Sequence, residues 1–546
     1  MTAELPIDRR AGVPSDIGDP SASGRGSATT AARATTSAGV SARDVLGLVA
    51  VLGVAVVLRF VNLATRGTWD ADQGHDMLVL QAFVRDGVVP LLGPHTSIGD
   101  FHHGALYYYL LAPFAALSNS DPFWVVAAIA AANVAAVAVT WWLARSIGGP
   151  VAGVVAALLM AVSAAAIEES TFLWNPNLIA LSSAVALASA WRAWTTGRLR
   201  WWLVAAAAQA VTMHCHVLGV VLVVPLGGLL IADARRRRGH PDERRPVLAA
   251  GAAGIAIIAA TYIPLAVSEL TTSFRETRAA FAFLAGGGDP AAASPLLRVV
   301  VVALRIIGWP LTGLLTNAPA AALIAAASVV AILLWRARTA PRREHDAVLW
   351  FALTLAWSAV ALAIAASSLA TIVPGLPNDH YHAFLDPIVF VVAGIGAAAL
   401  WNARRRALRA VAAAGVVAVV AFNVTIWPPA VAPDGGWPAA RHAATRIASV
   451  VGDRDYAIVG IPEFKSADAY AFPLARAGRP PRELTPTAAT GLPIVVVCDR
   501  LFEEAVGYRC GGPAESATAA RLGSGLRLAD RFDASARTVV AIYLPG

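Results

Sequence analysis

The feature that most constrains this chain is a succession of apolar runs, each near the length of a membrane-crossing helix, separated by clusters of arginine. Residues 122–144 contain no ionisable side chain, and about 20 apolar residues are enough to cross a bilayer core. Hydrophobic residues make up 57% of the 546 and charged residues 14%, against about 25% charged in ordinary soluble domains. So much hydrocarbon cannot all be hidden in soluble cores, and a polytopic α-helical membrane protein is expected. The net charge of +8 sits mostly on arginines between the runs. There it acts as a topology signal rather than a nucleic-acid surface, and no nucleic-acid partner is expected.

The runs at 45–63, 122–144, 151–167, 178–195, 201–217, 218–233, 246–268, 317–335, 347–370, 385–401 and 410–427 give about eleven spans. Two further runs complicate the count. Segment 104–118 is short for a crossing, and 297–315 carries Arg298 and Arg305 in its body. If neither crosses, the loops holding Arg145, Arg198 and Arg200, Arg235–Arg238 with Arg244 and Arg245, Arg336 to Arg343, and Arg404 to Arg409 all lie inside, as the positive-inside rule requires. Both runs are therefore expected along the outer membrane face.

This parity defines three regions. Residues 1–43 are rich in Ser, Ala, Thr, Gly and Pro without apolar periodicity and read as a disordered cytoplasmic tail. Residues 44–427 form the transmembrane domain, with outer loops 64–121 and 269–316. Residues 428–546 are expected outside as a small α/β domain, because β-branched runs at 456–460, 493–497 and 538–544 alternate with Ala/Arg-rich helical stretches. An outer position lets Cys498 and Cys510 form a disulfide, while Cys215 lies in an apolar run as an inert small hydrophobe.

The first outer loop concentrates the chemistry. Asp70, Asp72, Asp76 and Asp100 stand with His75, His95, His102 and His103 within forty residues. The pair Asp70 and Asp72 can hold a divalent cation, Mg or Mn, or one carboxylate can take a proton from a hydroxyl while the other orients it. Helix capping by Asp72 is the competing structural role.

In this loop the chain resembles a family of membrane glycosyltransferases with the GT-C fold, the branch holding protein O-mannosyltransferases and lipid A aminoarabinose transferases. The resemblance rests on an anchor span ending in Arg59 and Asn62, an acidic residue entering a juxtamembrane helix, the turn RDGVVPLLGP, and the second juxtamembrane segment HHGALYYYLLAP. It implies a catalytic role for Asp72. Relatives carry Asp-Glu where this chain has Asp72-Gln73, so Asp70 or Asp100 is left to replace the second acid. Glu168, Glu169 and Asn175 fall where relatives have a second acidic loop. His102, His103, His214 and His216 are candidates to line the donor cavity, with a satisfied core histidine as the alternative for the last two. His380, Tyr381 and His382 occupy the place of a phosphate-approaching motif, with Arg275 and Arg278 available as permanent charges.

The implied activity is inverting transfer of a hexosyl or pentosyl group from a polyprenyl-phosphate-linked sugar to a hydroxyl acceptor at the outer face, the acceptor being a protein, glycolipid or wall polymer. No nucleotide loop is present, and no cofactor is required beyond the candidate cation. Two other readings compete: a transporter or flippase, and an inactive family member acting as a scaffold, which Gln73 and Asn175 favour. The Arg/Ala bias with Lys465 as the only lysine suggests a bacterial plasma membrane, its lipids being the surrounding partners.

Overall fold

The computed structural model describes residues 41–96, 99–285, 294–366, 369, 379–463, 465–484 and 491–546; nearly all of the expected tail 1–43 lies outside them. Residues 47–546 form one compact unit. Helix α1 (Ala42–Phe60) and the short α2 (Leu63–Arg66) lead into the first loop, which holds α3 (Ala71–Asp86), β1 (Leu92–His95), β2 (His102–Gly104) and α4 (Leu106–Leu117). Then come α5 (Pro122–Val162), α6 (Ala164–Glu168), α7 (Ile179–Thr196), α8 (Arg200–Cys215), α9 (Val223–Arg236) and α10 (Pro241–Thr261). A second loop holds α11 (Ile263–Thr271) and α12 (Arg275–Ala285). It is followed by α13 (Pro295–Thr312), α14 (Pro319–Thr339), α15 (Arg342–Ala365), α16 (Asp386–Trp401) and α17 (Arg406–Thr425).

Among the described residues, eight helices are long and apolar enough to cross a membrane. The centre of the bundle is the segment Asp379–Trp401, whose apolar window is 78% buried, whereas that of α17 is 11% buried and turns its hydrocarbon outward. Helix α5 is two helices in one. Gly149 has φ 84°, a left-handed geometry that only glycine adopts without strain, and Pro150 follows. The chain reverses there, because a Cβ on Gly153 would touch Arg145 and the Trp141 carbonyl. This hairpin supplies the two crossings expected at 122–144 and 151–167.

The helix ends segregate into two layers. In one, buried Arg59 donates to the carbonyls of Met160 and Ala161 at 3.1 and 3.0 Å, satisfying acceptors that a helix end leaves open. Asn423 donates to Leu311 and accepts from Ala164, and Asn175 donates to the Cys215 carbonyl. In the other layer, buried Asp233 binds Arg236 and Arg237 and accepts from Trp202. Polar loops thus collect at one end and arginine turns at the other, as the charge pattern requires.

The two ambiguous runs resolve differently. Helix α4 has only 12 residues. Helix α13 does have the length and hydropathy of a crossing helix, which the sequence reading did not grant it. Its C-terminal half is nevertheless tied to the loop end: Arg305 pairs with Asp379, and Pro310 accepts from Ser163.

The C-terminal part runs α18 (Gly436–Val451), β3 (Ala457–Ile461), α19 (Asp468–Arg476), β4 (Ile494–Asp499), α20 (Glu503–Val506), α21 (Pro513–Leu522), β5 (Leu526–Asp533) and β6 (Thr538–Pro545). Its sheet has the order β3-β4-β6-β5, with β3 parallel to β4 and the other pairs antiparallel. The three expected strands are present. Strand β5 was not foreseen, because its sequence LRLADRFD pairs an exposed charged face with little hydrophobic signal. Cys498 and Cys510 are disulfide-bonded, and Cys215 is buried and free.

This part shares its core with the first loop. Trp69, Met77, Leu80 and Tyr107 pack in one cluster with Ile447, Phe472, Val540 and Ile542. Burying such side chains contributes about 1.5–3 kcal/mol each, so the sheet is held directly over the loop that bears the acidic residues.

Candidate functional site

The site begins at the N-terminus of α3. Asp70 is extended and accepts from the Ala71 N–H at 2.7 Å, while the Gln73 side chain accepts from the Asp70 N–H at 2.8 Å, a reciprocal capping box. The helix is therefore capped by Asp70, two residues earlier than the capping role considered for Asp72. Gln73 is the other half of that cap, which a glutamate would fill equally well. The departure from the family pattern thus leaves the helix start intact.

Capping removes Asp70 from consideration as a free base and leaves Asp72 available. Asp72 is exposed, and among the described residues its carboxylate accepts no hydrogen bond. It is nonetheless enclosed by protein mass, which raises its pKa above the ordinary carboxylate value, while Lys465 pulls the other way. Asp76, one turn on, is buried and accepts from Tyr108 at 2.7 Å and Tyr107 at 3.0 Å. Burial pushes its pKa up to about 7. It fastens α3 to α4 and is a structural member of the acidic cluster. Asp100 is exposed and pairs with His95 at 3.1 Å.

The histidines divide between those that fasten elements through polar contacts and those that pack in a buried aromatic group. His75 bonds Asp468 at 3.0 Å, and His102 bonds Glu276 at 3.0 Å. His214 bonds Thr261 at 2.9 Å and accepts from the Leu106 N–H. His103 accepts from the Val217 N–H at 3.2 Å and faces His216 with ring centres 5.2 Å apart. His216 in turn approaches Tyr381 at 4.8 Å and His380 at 5.7 Å, and His380 packs on Trp174 at 4.1 Å. His103, His216, His380 and Tyr381, dispersed in the sequence, thus meet in one buried aromatic group.

Glu168 and Glu169 lie at the end of α6, with Glu169 within electrostatic range of Asp379. Glu168 is exposed and Glu169 half-buried; burial, with Glu168 and Asp379 nearby, raises the pKa of Glu169 to about 8. It therefore carries a proton at neutral pH and can donate a hydrogen bond to an anion. Asn175 is buried and used in bonding the Cys215 carbonyl.

The segment 379–385 is held by a cation that the sequence reading did not assign. Arg305 of α13 makes a bidentate pair with Asp379, 2.9 and 2.7 Å, and donates to the Leu369 carbonyl. His382 is fully buried against Asp379 at 3.2 Å. Arg275 and Arg278, expected from the sequence as permanent charges for the lipid phosphate, are exposed on α12, where Arg275 lies within electrostatic range of Asp100 and Arg278 of Glu269. Pro377 and Asn378, which precede Asp379 in the chain, lie outside the described residues.

A second unassigned residue is Lys465, whose ammonium meets Asp70 Oδ2 at 2.8 Å. One lysine in a loop has no local signature; only its rarity in this chain could have drawn attention to it. Its presence also tests the candidate cation. Asp70 offers one oxygen to the helix N-terminus and the other to Lys465, so a metal bridging Asp70 and Asp72 would have to displace the lysine. Among the described residues, the one cluster of three potential ligands is Cys498, Cys510 and Glu515, in which the two sulfurs are bonded to each other.

Residues 102–263 match the family model described as dolichyl-phosphate-mannose-protein mannosyltransferase. A comparison with curated protein sequences found no match. Among solved structures, ArnT from Cupriavidus metallidurans in the apo state aligns with a TM-score of 0.54 at 15% identity, covering 92% of this chain and 98% of that one. The same protein bound to undecaprenyl phosphate gives 0.56 at 15% identity, with 91% and 97% covered. The chain therefore carries the GT-C fold seen in ArnT, and its 102–263 segment is similar to the protein mannosyltransferase family.

Proposed function

We propose that this protein is a glycosyltransferase that moves a sugar from a polyprenyl-phosphate carrier to a hydroxyl-bearing acceptor, with inversion at the anomeric carbon, at the outer face of a bacterial plasma membrane. The observation that carries this reading is the contrast within α3. Asp70 is consumed by a cap and an ion pair and Asp76 by two tyrosines, which leaves Asp72 exposed and without a hydrogen bond among the described residues. A carboxylate in that state is suited to accept the acceptor's proton as the hydroxyl attacks. The match of ArnT bound to undecaprenyl phosphate supports a polyprenyl-phosphate donor, whose tail can remain in hydrocarbon while the sugar enters the wet loop layer.

The departing phosphate needs hydrogen-bond donors, and the aromatic group of His103, His216, His380 and Tyr381 with protonated Glu169 supplies candidates. His382 and Arg305 act through Asp379, holding the segment 379–385 in place. His102 and His214 hold the walls of the loop layer.

The test is release of free polyprenyl phosphate from a panel of lipid-linked sugars by the purified protein. Release by the native chain that is lost in Asp72→Asn supports the reading. No release from any donor, with folded protein and an extract of acceptors present, favours a transporter or a binding role.

A further inference from the structure

The C-terminal part reaches the acidic loop by a specific route. Strand β3 ends at Ile461, and the chain turns back so that Lys465 passes over its own strand. A Cβ on Gly460 would run into the Lys465 carbonyl. Helix α19 then starts against α3, where a Cβ on Gly74 would run into the Asp468 carbonyl. Two glycines thus bring two backbones into contact, and His75 pairs with Asp468 beside them.

The outcome is an ammonium, one-fifth exposed, bonded to Asp70 and within electrostatic range of Asp72 and Asp499. Three carboxylates would otherwise face one another across the seam between α3 and β4. In a partly enclosed site such repulsion is several-fold stronger than in water. Lysine is a compact charge on a flexible stem, able to serve more than one carboxylate.

We propose that Lys465, carried by the C-terminal domain, is the resident cation of the Asp70 and Asp72 pair, taking the place that the sequence offers to a divalent metal, and that it is a positioning residue for transfer. It holds Asp70 against the start of α3 and thereby sets where Asp72 stands. The C-terminal domain therefore completes the active site. This inference rests on the reading of Asp72 as the base.

The test uses the full-length protein. Lys465→Met is expected to lower kcat for carrier release by about 10- to 100-fold, the effect of a slightly misplaced reacting group, with KM for the donor changed by less than about twofold. Chelator leaves the native rate unchanged. Lys465→Arg recovers part of the loss, and the Lys465→Cys variant alkylated with an aminoethyl group recovers most of it, since it carries an ammonium at a lysine's reach. The disulfide and the buried Cys215 leave no other exposed thiol among the described residues. A native kcat in Lys465→Met, a loss that neither cation repairs, or a strict need for Mg or Mn would overturn the proposal.

One arm does not depend on turnover. In a double-mutant cycle of Lys465→Met and Asp70→Asn, read by melting temperature in detergent, the two losses are expected to be non-additive; asparagine keeps the helix cap. Additive losses overturn the proposal whether or not the protein is active. A coupled cycle in a native chain that releases no carrier defeats the functional reading instead.

Discussion

The indole N–H of Trp69 donates to the carbonyl of Ala469 at 2.8 Å, joining residues four hundred positions apart. The backbone N–H of Trp69 also donates to Asp434 at 3.0 Å, and Thr68 bonds the same carboxylate. The residue that precedes Asp70 is thus fixed on both sides by the C-terminal domain. The position of the acidic loop is a property of that docking as much as of the loop's own sequence.

Gly74→Ala probes the docking directly. The added methyl meets backbone, not a movable side chain, so α19 must shift. Overpacking of this kind costs about 1–3 kcal/mol. The expected outcome is a lower melting temperature and faster proteolysis of the C-terminal domain in detergent. Native stability in the variant would show that α3 and α19 are not in contact.

Asp72→Asn and Asp70→Asn should separate cleanly. Loss of a general base lowers transfer by about 100- to 10,000-fold, and Asp72→Asn is expected in that range with an unchanged melting temperature. Asp70→Asn keeps the cap but loses the Lys465 pair, and should retain measurable kcat. Initial rates of carrier release for the two variants check this ordering.

Asp76 makes stability depend on pH. Its folded pKa of about 7 lies above its ordinary value, so between about pH 4 and 7 the folded state holds a proton that the unfolded state has released. Stability therefore falls as pH rises through this window, by an amount on the order of a few kcal/mol. Melting temperature should be higher at pH 5 than at pH 8, and Asp76→Asn should reduce that difference. An identical slope in the variant would rule Asp76 out as its source.

Arg305 and Asp379 form a buried pair. Removing one partner of such a pair leaves an uncompensated charge and costs about 3–5 kcal/mol. Asp379→Asn and Arg305→Met should each lower folded yield and melting temperature sharply, while the double variant is less damaged than the sum of the two. Additivity in the double variant would mean that the pair is not formed.

Much of this site was legible in the chain itself. The acidic loop was visible because Asp70, Asp72 and Asp76 are crowded beside an apolar span, and capping and hydropathy are local properties. The same local rules gave the two apolar runs at 122–144 and 151–167 that form the helical hairpin, and an outer position for Cys498 and Cys510 that lets them pair. Strand β5 escaped because alternating Leu, Arg and Asp on an edge strand has little hydrophobic signal. The capping role weighed for Asp72 falls on Asp70, two residues earlier, since both are equally good caps until the helix start is known.

The sequence alone determined the membrane bundle, because apolar length and arginine placement are read by the bilayer segment by segment. It also determined that one loop concentrates acids and histidines. Only the tertiary structure decided which acid is left free. That choice depends on Lys465 and the Ala71 N–H occupying the Asp70 carboxylate and on Tyr107 and Tyr108 occupying Asp76; Arg305 likewise meets Asp379 from a distant helix. Lys465 and Arg305 reach their partners from distant parts of the chain. An ion pair between such residues has no periodicity or spacing to mark it, and exists only once packing has brought both ends together.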